Sequence, residues 1–485
     1  MNEHTGVDLP AATKSATALV AKLVRAAGDA FPALAEAAGG LDGKRLGESV
    51  VRFEAARAAL PAPQRVDAAA FLARTAARAL VYADARETPL AEYMQAAAPP
   101  LAVERRTFGA RTLRPSVPLG DAAHAGADIV RLAEAMAARH ELTRPAHDAL
   151  AWIARRREID LSRERFAIMG AAAEIAPTEL LLAGGATVLF LDVNDAAAWA
   201  AAHGVSAGTL VSVKGGADLL RQPREIAATI AAFADGAPVH VGAFAYRGGG
   251  NREWRLAAAM NAIVRALDPK IVKSVGMAVS PTAPAQASEE DAAESLRRYA
   301  RPSVADRVWR AIGVAPPALV VHGGAAFPRA VVAMQGSSYL AAQYLEKRLA
   351  AEVYATRGLA GDGAGPMRVS ANVAGITRTA SMDIPLFRAA FSGAEALGVA
   401  SYAPRTTRAL FGLIYLENLL NPASLAAPGG SEDERARRVH ATQVHGGLYA
   451  FPYAIDPTMP RAALVGLARN PALIPAVLRS LAGRR

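Results

Sequence analysis

The apolar positions of this chain change their period near residue 166. Before it they recur at spacings of three and four, as in Leu19, Val20, Leu23, Val24 and Ala27, and again from Ala68 to Tyr82. Such spacing predicts helices that share one apolar face. Further helical pattern covers 127–139 and 146–157, and Pro61, Pro63, Pro99 and Pro100 punctuate the region. From Phe166 onward, short apolar runs alternate with helical stretches. Strands are predicted at 166–169, 187–192, 209–213, 239–244, 274–280 and 368–373. Helices are predicted at 177–183, 223–234, 252–267, 339–355 and 408–420. Parallel strands need crossovers, and this alternation supplies them. The expected class is α/β, with a doubly wound parallel sheet.

Two interruptions and two ends complete the organisation. Residues 1–160 read as a helical N-terminal region, a cap or a self-association layer. Residues 161–423 carry the sheet. Within them 281–336 is too long for an ordinary loop and reads as a helical insertion at the ligand-binding edge. Residues 424–436 are rich in Pro and Gly and then charged, as an exposed linker would be, and 424–485 form a C-terminal extension. Its last part, 461–485, is basic and apolar. It could meet an anionic membrane surface, but Pro471 and Pro475 interrupt a long amphipathic face and favour docking on the domain.

Composition narrows the function classes. The chain has 485 residues, of which 52% are hydrophobic, enough for a sizeable core. It has no cysteine, which removes disulfides, thiolate catalysis and Cys-ligated metals. The formal charge is +10, but the basic residues are scattered among alanines with no run of five. That is not the charge stripe of a nucleic-acid binder. No signal peptide and no apolar stretch of spanning length is visible, so a cytoplasmic location is expected. No His-Glu-x-x-His or comparable metal set occurs.

The most informative turn is Gly170-Ala171-Ala172-Ala173-Glu174-Ile175-Ala176-Pro177. It follows a predicted strand and opens a predicted helix. Small residues there let backbone N–H groups approach a diphosphate at a helix N-terminus. The next predicted strand ends at Asp192, followed by Val193, 22 residues after Gly170. A carboxylate so placed accepts both ribose hydroxyls of an adenosine and repels a 2′-phosphate, so NAD is preferred over NADP. Glu174 is out of place beside a diphosphate. Gly39–Arg45 lacks a preceding strand and the hydroxyl residue of a phosphate loop.

Three segments together resemble the short-chain dehydrogenase/reductase superfamily over roughly 165–420. Gly170–Ala176 is similar to that family's Gly-x-x-x-Gly-Ile-Gly turn, with Glu174 and Ala176 replacing two glycines. Ser337-Ser338-Tyr339-Leu340-Ala341-Ala342-Gln343 is similar to its Tyr-x-x-x-Lys helix, with Gln343 at the lysine position. Val369–Thr379 is similar to the strand and Pro-Gly-x-x-x-Thr segment beside the nicotinamide, with Ala374 for the proline and Thr379 retained. The resemblance implies a Rossmann-like NAD(P)-binding fold and a diverged oxidoreductase acting on a carbonyl, alcohol or enoyl group. It also implies Tyr339 as proton donor, Ser280 as the strand-end serine and Thr379 on the nicotinamide side.

An unperturbed tyrosine titrates near 10, so such chemistry asks for a nearby cation. Gln343 cannot supply one. Lys347, two turns beyond Tyr339 on the same face, is the candidate replacement. Gly248, in Tyr246–Asn251 after a predicted strand, joins Gly170, Ala171, Ala172, Ile175, Asp192, Val193 and Thr379 as expected cofactor contacts. His322 and His445, each before a Gly-Gly pair, are further proton-shuttle candidates. The insertion suggests a bulky small-molecule substrate, such as an acyl compound. A Rossmann-like scaffold that binds NAD(P) without catalysis is the alternative, and self-association is compatible with both.

Overall fold

This computed structural model describes residues 5–13, 15–359, 365–379 and 385–482. Seven strands form its central sheet, labelled in chain order: β1 (Val103–Thr107), β2 (Arg165–Met169), β3 (Thr187–Leu191), β4 (Thr209–Val213), β5 (Val239–Ala243), β6 (Val272–Val279) and β7 (Val369–Val373). Their order across the sheet is β7-β6-β5-β2-β3-β4-β1. The six strands from β2 to β7 are mutually parallel, and β1 pairs antiparallel with β4 from Val103↔Val213 to Thr107↔Thr209.

Successive side chains of a strand face opposite ways, and here both faces are buried. Phe166, Ile168, Val188, Phe190 and Phe244 pack with helices Ala127–Ala138, Arg144–Ala154 and Pro404–Leu420. Ala167, Met169, Leu189, Leu191, Val241 and Met277 pack with Pro223–Ala234, Arg252–Ala266 and Ala350–Arg357. A third apolar cluster joins N-terminal helices Ala16–Ala30, Leu46–Ala58 and Ala62–Ala79 to Trp254 and to Leu340, Tyr344 and Leu349. The last three lie on one continuous helical run, Gly336–Ala341, Ala342–Leu349 and Ala350–Arg357, whose middle segment is π-helical. π segments are rare and gather at functional sites.

The fold corrects the sequence reading in two places. First, the N-terminal 160 residues are not helical throughout. They hold a three-stranded antiparallel sheet (Gly6–Asp8, Val81–Ala83, Glu87–Pro89), a hairpin (Ser116–Leu119 with Ala122–Ala125) and β1. β1 escapes a hydrophobic pattern because all five residues are exposed at the sheet edge. Second, 424–436 is not an exposed linker. Ser424, Ala426 and Ala436 are buried, and Asp433 pairs with buried Arg65 at 2.5 Å. The helix predicted at 177–183 is present as Thr178–Ala183, six residues with Pro177 as its N-cap.

The insertion follows the C-terminal end of β6. It consists of helices Glu289–Ala300 and Val304–Ala311 and a hairpin, Leu319–His322 with Ala325–Pro328. The C-terminal segment docks, as its prolines suggested. Helix Ile455–Arg469 crosses Pro385–Ala396 at near backbone contact: a Cβ added to Gly393 would lie 1.7 Å from the Ala462 carbonyl oxygen. Among the described residues, no helix is long and apolar enough to cross a membrane.

Candidate functional site

A cavity of about 730 Å³ opens over the C-terminal ends of β5, β6 and β7. Its floor comes from four connections: Glu174 and Ile175 after β2, Tyr246–Gly249 after β5, Ser280–Thr282 after β6, and Ala374–Thr377 with Thr379 after β7. One side is the π-helical run, presenting Tyr339, Gln343 and Lys347. The opposite side is apolar. It consists of Phe387, Phe391, Ala394 and Leu397 from one helix, Leu448 and Phe451 from a loop, and Ile455, Met459 and Ala462 from the last long helix.

The polar groups form one connected cluster. The Tyr339 hydroxyl faces the Ser280 and Thr282 hydroxyls, which favour its ionised form. Those two share a bond of 2.8 Å, and Thr282 Oγ1 donates to Gln335 Oε1 at 2.8 Å. Beneath them the Ser280 N–H donates to Gln343 Oε1 at 2.9 Å, and Gln343 Nε2 donates to Glu253 Oε1 at 3.1 Å. Lys347 Nζ lies 3.5 Å from the same Glu253 oxygen, with both side chains almost wholly buried. Glu253 Oε2 accepts the Arg247 N–H at 2.9 Å. One buried carboxylate therefore ties the β5 loop, the glutamine and the lysine together.

Burial and then the Glu253 charge push the Tyr339 phenol above its usual range, against the opposing pull of Ser280. The site holds a protonated tyrosine at neutral pH. A neighbouring cation that acidifies it is not realised here, because Lys347 is neutralised by Glu253.

Of the sequence-predicted residues, Tyr339, Ser280, Lys347, Ile175, Gly248 and Thr379 meet around this cavity. Gly170, Ala171, Ala172, Asp192 and Val193 do not line it. Gly170 adopts φ +76°, and a Cβ there would lie 2.2 Å from the Ala245 backbone nitrogen, so glycine is required for the turn to pass β5. Asp192 Oδ2 accepts the Ala172 N–H at 3.0 Å, and Oδ1 accepts the Asn194 N–H at 3.0 Å and Nδ2 at 2.6 Å. Three of the roughly four acceptor positions of a carboxylate are thus engaged. Room is left for one ribose hydroxyl rather than two. Val193 is a solvent-facing residue, 65% exposed.

A dinucleotide therefore fits the chain unevenly. The cavity would have to take the nicotinamide end, and Asp192 retains one acceptor position that an adenosine ribose would need. The diphosphate does not gain a long helix N-terminus, and exposed Glu174 borders its path. His322 is exposed on its hairpin and His445 is wholly buried against Asp291 at 3.0 Å, and neither lines the cavity. No group of three or more His, Cys, Asp or Glu able to hold a metal occurs among the described residues.

Glu253, Thr282 and the apolar wall escaped the sequence reading. A carboxylate inside a helical pattern looks like a solvent-facing residue until its neighbours are known. The wall carried one usable signal: small residues at helical spacing, Ala389, Ala390 and Gly393 against Ala462, Ala463 and Gly466, as a tight helix crossing requires. No family model matches the chain, and no curated protein matches it.

Proposed function

We propose that this chain is a Rossmann-type NAD(H)-dependent reductase of a carbonyl or enoyl group carried by a long apolar substrate. The observation that carries this reading is the Ser280–Thr282–Tyr339 hydroxyl cluster, set at one side of an apolar-walled cavity above parallel strands. Numbering only the six parallel strands from β2, their order is 3-2-1-4-5-6, which supports a doubly wound, dinucleotide-binding reading of the sheet. The cavity begins beside its switch point, where β2 and β5 adjoin.

Ile175, Gly248 and Thr379 would hold the nicotinamide end and Asp192 the adenosine ribose. A reduced nicotinamide bound there supplies the hydride. Ser280 and Tyr339 orient the substrate oxygen, and the Tyr339 O–H donates to the negative charge that develops on it. The raised pKa keeps the phenol protonated at neutral pH, as a hydrogen-bond donor to that oxygen must be. The phenylalanines and Met459 exclude water and take up the acyl or alkyl chain.

The test is nicotinamide turnover with 3-oxoacyl and 2-enoyl thioesters of graded length. Saturable NADH binding is expected, and Tyr339→Phe should lower kcat about 10²- to 10⁴-fold with KM little changed. Full activity in that variant, or no binding of either nicotinamide cofactor, overturns the reading. The second reading is a binding protein without turnover. Gln343 in place of a cation and the Lys347–Glu253 pair favour it, and NADH binding without turnover of any of these substrates would select it.

A further inference from the structure

A second cavity, of about 240 Å³, lies between the N-terminal helices, the π-helical run and the segment 436–443. It opens to solvent beside exposed Arg437. It is separate from the nicotinamide-side cavity, but the same helical run borders both: Lys347 faces one and Arg348 the other.

Its charge does not close. Arg57, Arg65, Arg348 and Arg437 line it against two carboxylates, Glu54 and Glu352. Both carboxylates are already held by Arg57, at 2.7 and 2.9 Å, and Tyr344 donates to Glu54 at 2.7 Å. Asp433, just outside, pairs with Arg65 and Arg437. Arg348 is left over. It is 6% exposed, makes no ion pair among the described residues, and its Nη1 has no hydrogen-bond partner. His440, also 6% exposed, bonds through Nε2 to the Arg348 carbonyl at 3.0 Å and leaves Nδ1 without a partner. Glu54 and Glu352 lie within electrostatic reach of Arg348, but both are directly paired with Arg57. A buried guanidinium compensated only in part is unfavourable, and an entering anion would complete its balance.

We propose that this cavity binds a phosphoryl oxyanion, free phosphate or a small phosphomonoester, with Arg348 as its principal ligand. A guanidinium presents a planar fork of donors that matches such an anion. The volume is several times the share of about 30 Å³ that one liquid water occupies, so an oxyanion fits. Burial and then the Arg348 charge hold His440 well below its usual pKa. A bound anion would favour its protonated form, and Nδ1–H would then donate to the ligand. The inference does not depend on the oxidoreductase reading.

The test is calorimetric titration and thermal unfolding of the full chain with inorganic phosphate and, separately, glycerol phosphate, against chloride at matched ionic strength. Saturable binding and a saturable rise in Tm are expected, with the tighter arm identifying the free ion or the ester. Arg348→Met should be more stable than the wild type in chloride and should weaken binding at least about tenfold, the scale of a lost charge-assisted hydrogen bond. Should that variant fail to fold, Arg437→Gln at the exposed mouth is expected to weaken binding several-fold. Equal binding in the variant measured overturns the proposal. So does a rise in Tm that never saturates and is shared by both proteins, since excluded phosphate stabilises any fold in that way.

Discussion

Replacing Glu253 by Gln tests the construction of the candidate site most directly. The substitution keeps the shape and an oxygen that can accept the Arg247 N–H, but removes the charge. What is lost is the pairing with Lys347 Nζ at 3.5 Å. At an effective dielectric of about 20, that attraction is about 5 kcal/mol before desolvation. Both side chains are almost wholly buried, so the ammonium can meet water only through the cavity it lines. Breaking a buried pair from one side costs about 3–5 kcal/mol, whereas replacing both partners is often near neutral. Glu253→Gln should therefore lower stability by about 3 kcal/mol or more, and Glu253→Gln with Lys347→Met should recover most of the loss. Urea unfolding followed by tryptophan fluorescence reads both, with Trp254 buried next to the substituted position. A loss below about 1 kcal/mol, or a double variant no better than the single one, would refute the reasoning. A second readout separates chemistry from stability. Glu253 helps hold the Tyr339 phenol above its usual range. An acid is lost as pH rises through its pKa, so the alkaline limb of any Tyr339-dependent activity should move to lower pH in Glu253→Gln.

Three further expectations use other parts of the molecule. Gly170→Ala should destabilise by more than about 3 kcal/mol in chemical denaturation, because the new Cβ meets the Ala245 backbone at 2.2 Å with φ at +76°. Glu164, hydrogen-bonded first to His240 and then to Lys273, has its pKa lowered from 4.5 to about 2. Its contribution is complete above pH 4.5 and disappears as pH falls toward 2, so the stability gap between wild type and Glu164→Gln should be flat above pH 5 and close below it. Met459→Trp, on the apolar wall, should shorten the longest chain accepted without lowering turnover of short substrates.

The alternation of strands and helices from Phe166 onward was legible because strands buried on both faces read as apolar runs. β2 to β7 fall close to the predicted positions for that reason. β1 was not legible, since Glu104, Arg105 and Arg106 face solvent at an edge and share no apolar pattern. Ser280, Tyr339 and Lys347 were found as residues but not as an arrangement. Helical spacing puts Lys347 on the face of Tyr339, while the π-helical segment and the Glu253 contact depend on packing from elsewhere in the chain. Asp192 shows the converse. Its place at the end of β3 was foreseen, but its hydrogen bonds to Ala172 and Asn194 are set by how closely the turn approaches it.

The N-terminal layer also constrains how the chain is made. β1 finds its partner 102 residues later at Thr209, and Arg57 of the N-terminal helices meets Glu352 only after 295 residues. Until the π-helical run is synthesised, Val20, Phe53 and Leu72 have only part of the surface that buries them. The chain cannot complete one domain before the next, as many long chains do during synthesis. A ribosome-bound or truncated N-terminal segment that ends before Thr209 would present bare helix faces and an unpaired edge strand, a substrate for chaperones and proteases rather than a finished unit.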